Sequence, residues 1–236
     1  MICALCRLDR ELRNSHIMPE LLYRPIYDEK HRTLLFGYGD ECAQLLQKGI
    51  RERLLCDDCE SCFQKYEDYF ARRWYKNPPF TEPINQAAVT LTGLDYPRLK
   101  LFLLSIVWRA SVAQSSMFRA ADLGPHEDTI RTMLLKEEPR SADEYRIYAG
   151  LIIDPNSRRV WDQVILEPLK IRVNGQWAYR MVFGGVSWTV VISRHGHLPL
   201  EDHYLTKRGE LRLPCIGWPE FARAAGLPDA TRRLKA

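Results

Sequence analysis

Four cysteines in the N-terminal part of the chain have the spacing of metal ligands. Cys3 and Cys6 form one Cys-x-x-Cys pair, and Cys56 and Cys59 form a second. Two thiolates at this spacing reach one ion from a single tight turn, and two such turns complete the tetrahedral four-thiolate coordination of structural zinc. Six of the seven cysteines lie before residue 63, and this clustering favours a metal over disulfides and over free or merely buried thiols. The sequence therefore predicts a structural zinc ion bound by these four cysteines.

The other cysteines and one later histidine pair have weaker patterns. Cys62 lies three positions after the second pair and is either a spare ligand or, as the preferred interpretation, a small buried apolar side chain. Cys42 and Cys215 have no partner at ligand spacing and are predicted to be structural. The segment His195-Gly196-His197 is interpreted as a turn and not as a metal clip.

The hexapeptide SHIMPE, residues 15 to 20, lies between the two cysteine pairs. Its histidine, His16, is the residue type most suited to proton transfer near neutral pH. Ile17, Met18 and the turn-forming Pro19 are compatible with the end of a strand. Two interpretations stay open: His16 is a general base that faces a metal-bound phosphate, or it hydrogen-bonds a backbone carbonyl and braces the zinc unit.

A helix is predicted directly after the second cysteine pair. Asp57 and Asp58 suit its start, because carboxylates there accept hydrogen bonds from free amides and face the positive end of the helix dipole. The helix should end before Asn77-Pro78-Pro79, since prolines disfavour helical backbone in the residue before them. Its buried face is predicted from apolar residues at helical spacing, namely Cys59, Phe63, Tyr66, Phe70 and Trp74.

Beyond this helix the pattern is mixed. Residues 77 to 97 contain repeated proline breaks and are interpreted as a linker or irregular wrap. The segment after Pro97 is apolar around much of its circumference, which predicts a buried central helix. Trp108 is interpreted as a core residue beside an ion-paired Arg109. A second helix is predicted after the Gly124-Pro125 break.

Short alternating runs follow, from YRIYAGLIID to VSWTVVIS, and they predict strands. Asn174-Gly175 and Gly184-Gly185 are predicted hairpin turns between them. A short helix, WPEFARAAGL, precedes a loose basic tail. The predicted fold class is α+β, with a treble-clef zinc unit over residues 1–80 and helices packed on an antiparallel sheet over residues 81–236.

Composition and charge limit the classes of function. The chain has 236 residues, a net charge of +4 and 46% hydrophobic residues, as in a globular protein. Acids and bases balance in residues 1–80, so the cysteine region is not a polycationic clamp for nucleic acid. No apolar run approaches the roughly 18 residues of a membrane span, and no signal peptide is recognisable. We therefore expect a cytoplasmic protein whose partner is a nucleic acid or another protein, and not a membrane.

The order of these motifs resembles a known family. A CxxC pair, a His-hydrophobic-x-Pro segment and LLCxxC at the start of a helix are similar to the zinc-containing branch of the HNH (ββα-metal) endonucleases. Longer stretches, SHIMPE with LLCDDCESCFQKYE and the segment from LFLLSIVW to IRTML, resemble a bacterial group regarded as HNH-like in its N-terminal third. The resemblance implies that His16 is the general base, that Pro19 is the proline after it, and that the four cysteines hold zinc.

The resemblance also implies a second divalent cation, Mg²⁺ or Mn²⁺, against the scissile phosphate. This chain has Ser15 where the family has an acid before the base, Arg51 near the usual asparagine, and Glu60 where a histidine follows the fourth cysteine. Glu60 would offer an oxygen ligand to the cation, and Ser15 would bind it through water. Arg51 or Arg53 would contact phosphate.

Two functions follow as hypotheses. The first is a divergent HNH-like, metal-dependent endonuclease with a structural zinc ion, His16 as base and Glu60 on the second cation. The second is a non-catalytic zinc module that binds nucleic acid or a protein partner.

Overall fold

A computed structural model of the chain describes residues 1–27, 32–35, 44–47, 49–194 and 203–227. Within these ranges lie five α-helices and ten strands, and the strands form three sheets. The predicted α+β class is therefore confirmed. The predictions for Cys42, for His195 and His197, and for the basic tail lie outside the described residues.

The N-terminal unit is a strand pair followed by a helix. Strand β1 (Leu12–His16) pairs antiparallel with β4 (Arg51–Cys56), and His16 lies opposite Arg51. A short helix, α1 (Glu20–Tyr23), follows β1. In the sequence between β1 and β4, strands β2 (Arg32–Leu35) and β3 (Gln44–Gln47) form a separate antiparallel pair.

Helix α2 (Asp57–Ala71) begins directly after β4 and continues into a π-helical turn at Arg72–Lys76. Because it begins next to Cys56, the second cysteine pair lies at a junction between strand and helix. The predicted apolar face is confirmed: Cys59, Phe63, Tyr66, Phe70 and Trp74 are all buried.

Helix α3 (Tyr96–Val112) is the central element. Asp95 caps its start by accepting a hydrogen bond from the Arg98 backbone amide at 3.0 Å. Nearly all of its side chains are buried, as the apolar circumference predicted. Trp108 is fully buried and Arg109 is ion-paired, which confirms the interpretation of that dipeptide. Helix α4 (Glu127–Leu135) packs against α3 and follows the 3₁₀ turn Gly124–His126.

A six-stranded sheet occupies the C-terminal part, in the order β5-β10-β6-β9-β8-β7. Its neighbouring strands are antiparallel except for β6 and β10, which are parallel. Helix α5 (Trp218–Ala224) follows the last strand. The strands are β5 (Ala88–Leu91), β6 (Ile147–Ile153), β7 (Leu166–Val173), β8 (Gln176–Phe183), β9 (Val186–Val191) and β10 (Leu211–Gly217).

Both predicted hairpin turns are confirmed. Asn174 and Gly175 have φ angles of 46° and 79°, and Gly184 and Gly185 have 59° and 73°. Two successive positive φ values match the right-handed twist of the strands that the turn joins. The predicted linker over residues 77–97 is only partly irregular, since β5 lies within it and joins the sheet.

One continuous core connects the cysteine region to the sheet. Its buried residues run from Cys3 and Leu5 through α2 and α3 to Phe183 and Trp188 on the sheet. Phe70 is stacked on Phe102 with ring centroids 4.6 Å apart. The domain boundary near residue 80 stays a prediction. In the part of the chain that the structure describes, no helix is long and apolar enough to cross a membrane.

Candidate metal centre and histidine site

The four predicted zinc ligands come together. The Sγ atoms of Cys3, Cys6, Cys56 and Cys59 all lie within 4.8 Å of one another. Cys6 Sγ and Cys56 Sγ are 3.9 Å apart, close to the edge of about 3.8 Å for a tetrahedron with Zn–S bonds of about 2.3 Å. A disulfide would need about 2.05 Å. The cluster therefore fits one structural metal ion such as zinc.

Backbone hydrogen bonds form the turn that carries the first pair. The Arg7 amide donates to the Cys3 carbonyl at 2.9 Å, and the Cys3 amide donates to the Leu8 carbonyl at 3.0 Å. Arg7 closes the turn with a φ of 62°, a left-handed conformation. The Ala4 amide then donates to the Leu54 carbonyl of β4 at 3.1 Å. The turn is thus attached to the strand that leads into the second cysteine pair.

The electrostatics of the cluster call for a cation. Burial raises the pKa of the Cys3 thiol. Hydrogen bonds from the backbone of Cys6, Cys56 and Leu5 together lower the pKa by more than burial raises it, so that it falls to about 7. Burial raises the pKa of Cys59, and thiol neighbours raise it further. Four thiolates this close together, three of them buried, would repel one another unless a dication compensated their charge.

His16 lies at the end of β1, as predicted, and contacts one of the predicted phosphate-binding residues. Arg51 Nε donates a hydrogen bond to His16 Nε2 at 2.8 Å. Nε2 carries a lone pair in this arrangement, because a guanidinium can only donate. Arg51 also lies 3.8 Å from the carboxylate of Glu20, the last residue of SHIMPE. Glu20 was not predicted, although its position in the hexapeptide could have indicated it.

A buried arginine from α3 holds the backbone of His16. One terminal nitrogen of Arg109 donates to the His16 carbonyl at 3.0 Å and to the Glu67 carboxylate at 3.1 Å. The Arg109 side chain is 1% exposed and that of Glu67 22%. Burial raises the pKa of Glu67, and the neighbouring guanidinium opposes this shift. The sequence indicated an ion pair for Arg109 but not its contact with His16, which is 93 residues away.

A second contact fixes the same region from β4. The carboxylate of Glu52 accepts hydrogen bonds from the backbone amides of Gln114 and Ser115, each at 2.8 Å. This residue lies next to Arg51 in the strand. The segment after α3 and the start of β4 are thereby joined next to Arg51 in the chain.

The remaining predicted residues differ in placement. Ser15 is buried, and its Oγ accepts a hydrogen bond from the Leu55 amide at 3.2 Å. The expectation that Ser15 binds a cation through water is therefore wrong, because its oxygen faces the strand pair. Glu60 lies in the first turn of α2, partly buried, and Arg53 is exposed on β4. The roles of Glu60 and Arg53 stay predictions.

Among the described residues, the four cysteines are the one group of three or more side chains placed to hold a metal. A second divalent cation, Mg²⁺ or Mn²⁺, stays an expectation, because such ions need only one or two protein carboxylates and take water or phosphate oxygens as their other ligands. Comparisons with protein-family models, with curated proteins and with solved structures find no match. Membership of the HNH family stays an expectation from the motifs.

Proposed function

We propose that the chain is a divergent HNH-like nuclease in which His16 is the general base, Arg51 binds the scissile phosphate, and a four-cysteine zinc ion is structural. One observation carries the proposal. The imidazole and the guanidinium face each other at 2.8 Å at the end of a strand pair whose other end joins the four-thiol cluster. A base and a phosphate ligand are thus adjacent on a stiff support.

The pair suits phosphodiester hydrolysis. A phosphate oxygen is a stronger acceptor for Arg51 than a neutral imidazole, because the hydrogen bond then joins opposite charges. Phosphate bound to Arg51 would replace the hydrogen bond from Arg51 Nε to His16 Nε2, and His16 Nε2 would take a proton from water. The water oxygen forms a bond to phosphorus while the bond to the leaving ester oxygen breaks, and the leaving oxygen takes a proton from solvent. Arg109 holds the His16 carbonyl throughout, so that the imidazole stays near the strand end.

The two expected metals fit this chain differently. Zinc fits the cysteine cluster, where four thiolates would complete its coordination and leave its role structural. For a second cation the described residues offer no group of three or more ligands beyond the cysteines, and no step is assigned to it. Glu60 is the carboxylate to test if cleavage proves to depend on Mg²⁺ or Mn²⁺.

Cleavage assays test the proposal. Plasmid, single-stranded DNA and RNA are incubated with the protein in magnesium, manganese or EDTA. His16→Ala and Arg51→Gln should each lower the cleavage rate by about 10²-fold or more, as expected for loss of a base or of a transition-state charge. Arg13→Gln is the matched control, because Arg13 is an exposed cation of the same strand pair that binds Asp57 instead of His16. Cleavage by His16→Ala at the wild-type rate would refute the assignment.

A second function, a non-catalytic zinc module, is favoured by a different observation. Ser15 Oγ already accepts a hydrogen bond from the Leu55 amide, and His16 Nε2 already accepts one from Arg51 Nε. Under this alternative the pair is a structural brace, and the chain binds nucleic acid or a protein without cutting it. Neither wild type nor variant would then cleave any substrate, and His16→Ala would lower stability without changing binding.

A further inference from the structure

An exposed tryptophan with two cations lies on the hairpin formed by β7 and β8. Trp177 is 43% exposed, whereas Trp74, Trp108, Trp188 and Trp218 are buried and Trp161 is largely so. The Arg172 guanidinium carbon lies 3.5 Å from the centre of its indole ring, and Lys170 Nζ lies 4.8 Å from it. An aromatic surface and two positive charges thus share one patch, which we call the Trp177 patch.

The register of the hairpin explains the cluster. Arg172 lies directly opposite Trp177, and Lys170 lies opposite Tyr179. Residues two apart on a strand, together with their cross-strand partners, project to the same face of a sheet. Tyr179 is buried on this face and donates to the Asp122 carbonyl at 2.7 Å. The patch is therefore the end of a face that the protein core otherwise covers.

Local contacts hold the cations in place without removing their charge. Arg172 donates to the Gly175 carbonyl, and Lys170 donates to the Asp122 carbonyl at 3.2 Å. Both acceptors are neutral backbone oxygens, and no ion pair to either residue is present among the described residues. Strand β7 is also an edge strand of the six-stranded sheet, so the patch lies beside that edge.

We propose that the Trp177 patch binds single-stranded nucleic acid, with a base stacked on the indole–guanidinium pair and the backbone phosphates against Lys170 and Arg172. Both the indole ring and the planar guanidinium are surfaces on which an unpaired base can stack. A base within a duplex is already stacked on both sides and cannot use them. The inference rests on the proposed function in naming the same substrate class, but the binding it describes needs no cleavage.

Binding is measured in the His16→Ala background, which is expected to slow any cleavage of the probe by about 10²-fold. The probes are fluorescein-labelled dT15, U15 and a 15-base-pair duplex. Trp177→Leu keeps an apolar side chain but removes the aromatic face, and it should weaken binding of dT15 by about tenfold. Trp177→Phe keeps an aromatic ring and should recover part of the loss. Thermal unfolding of each variant checks that the fold is retained.

Salt dependence tests the role of the cations. Replacing both Lys170 and Arg172 by Gln should reduce the slope of log K against log salt by about 1.4, since each phosphate contact to a single strand contributes about 0.7. Arg98→Gln, at an exposed arginine on α3 paired with Asp95, should leave the slope unchanged. Three results would each overturn the proposal. They are equal affinity of Trp177→Leu and its His16→Ala background for dT15, equal affinity of the background protein for dT15 and for the duplex, and no binding of any probe. Strand binding with no cleavage by wild type would refute the nuclease while sparing the patch.

Discussion

Replacing Glu67 by Gln should destabilise the protein more than its position near the surface suggests. The Arg109 side chain is 1% exposed, and the Glu67 carboxylate is its only negatively charged partner among the described residues. Its other acceptors are neutral oxygens of His16 and Ser105. The variant keeps the shape of the side chain but leaves a buried guanidinium without a counter-charge.

The size of this loss of unfolding free energy follows from the burial of Arg109 and Glu67. Removing one partner of a fully buried ion pair costs about 3 to 5 kcal/mol of unfolding free energy. Because Glu67 is itself 22% exposed, water compensates in part, and we expect a loss of about 2 to 3 kcal/mol for Glu67→Gln. A combined Arg109→Met and Glu67→Leu variant removes both charges and should recover most of that loss. Urea unfolding of wild type, Arg109→Met, Glu67→Leu and the double variant gives the coupling energy, and Glu67→Gln is measured beside them.

A matched exposed pair provides the control. Lys65 and Glu137 are 2.8 Å apart, closer than Arg109 and Glu67, but their side chains are 57% and 45% exposed. Lys65→Met should leave the unfolding midpoint nearly unchanged, because water and salt screen such a pair. A coupling energy near zero for Arg109 and Glu67 would refute the claim that this buried ion pair stabilises the fold.

Two further predictions concern other parts of the fold. Burial raises the pKa of Glu167 to about 8, and its Oε1 has no hydrogen-bond partner among the described residues. The folded chain then keeps a proton that the unfolded chain releases near pH 4.5. The free energy of unfolding should therefore fall as the pH rises from about 4.5 to 8. Glu167→Gln should abolish this fall when unfolding is measured across that range. Gly209→Ala should lower the melting temperature by several degrees, because its φ is 73° and a Cβ would clash with the Leu94 backbone. Gly93→Ala, at φ 68° with open space around it, should cost less; equal losses would contradict the clash.

Local patterns predicted the elements that depend on local chemistry. The apolar face of α2 follows from its helical spacing, and the hairpin turns follow from Asn174-Gly175 and Gly184-Gly185, where positive φ is required. The four cysteines were predictable because their spacing expresses the coordination geometry of one ion. In each case the residues that set the structure are close together in sequence or share a strict chemical requirement.

Strands β5 and β10 were not predicted, for a physical reason. Pro214 lies inside β10, and a proline disfavours strand assignment because it cannot donate a hydrogen bond to the ladder. The structure tolerates it where pairing changes: residues 211–214 pair with β5, and residues 215–217 pair with β6. Strand β5 lies among prolines and gains its partner only from a segment more than a hundred residues later.

The contacts around His16 were also beyond local reasoning. Ser15 could have faced either side of its strand, and only its bond to the Leu55 amide places it inward. The Arg51 contact depends on the register of β1 and β4, which a one-residue shift would reverse. Arg109 reaches His16 from helix α3, which lies outside the strand pair. Long-range geometry, and not residue type, decides these positions.

The proposed site depends most directly on one metal ion bound by the four cysteines. Elemental analysis of the purified protein should give one zinc per chain, and Cys56→Ser should lower this ratio strongly, whereas Cys62→Ser should not. Cys62 is the matched control, because it is a neighbouring thiol that donates to Glu137 and lies outside the cluster. A wild-type protein without bound metal, or a Cys56→Ser variant with a full zinc content, would contradict the structural basis of the proposed site.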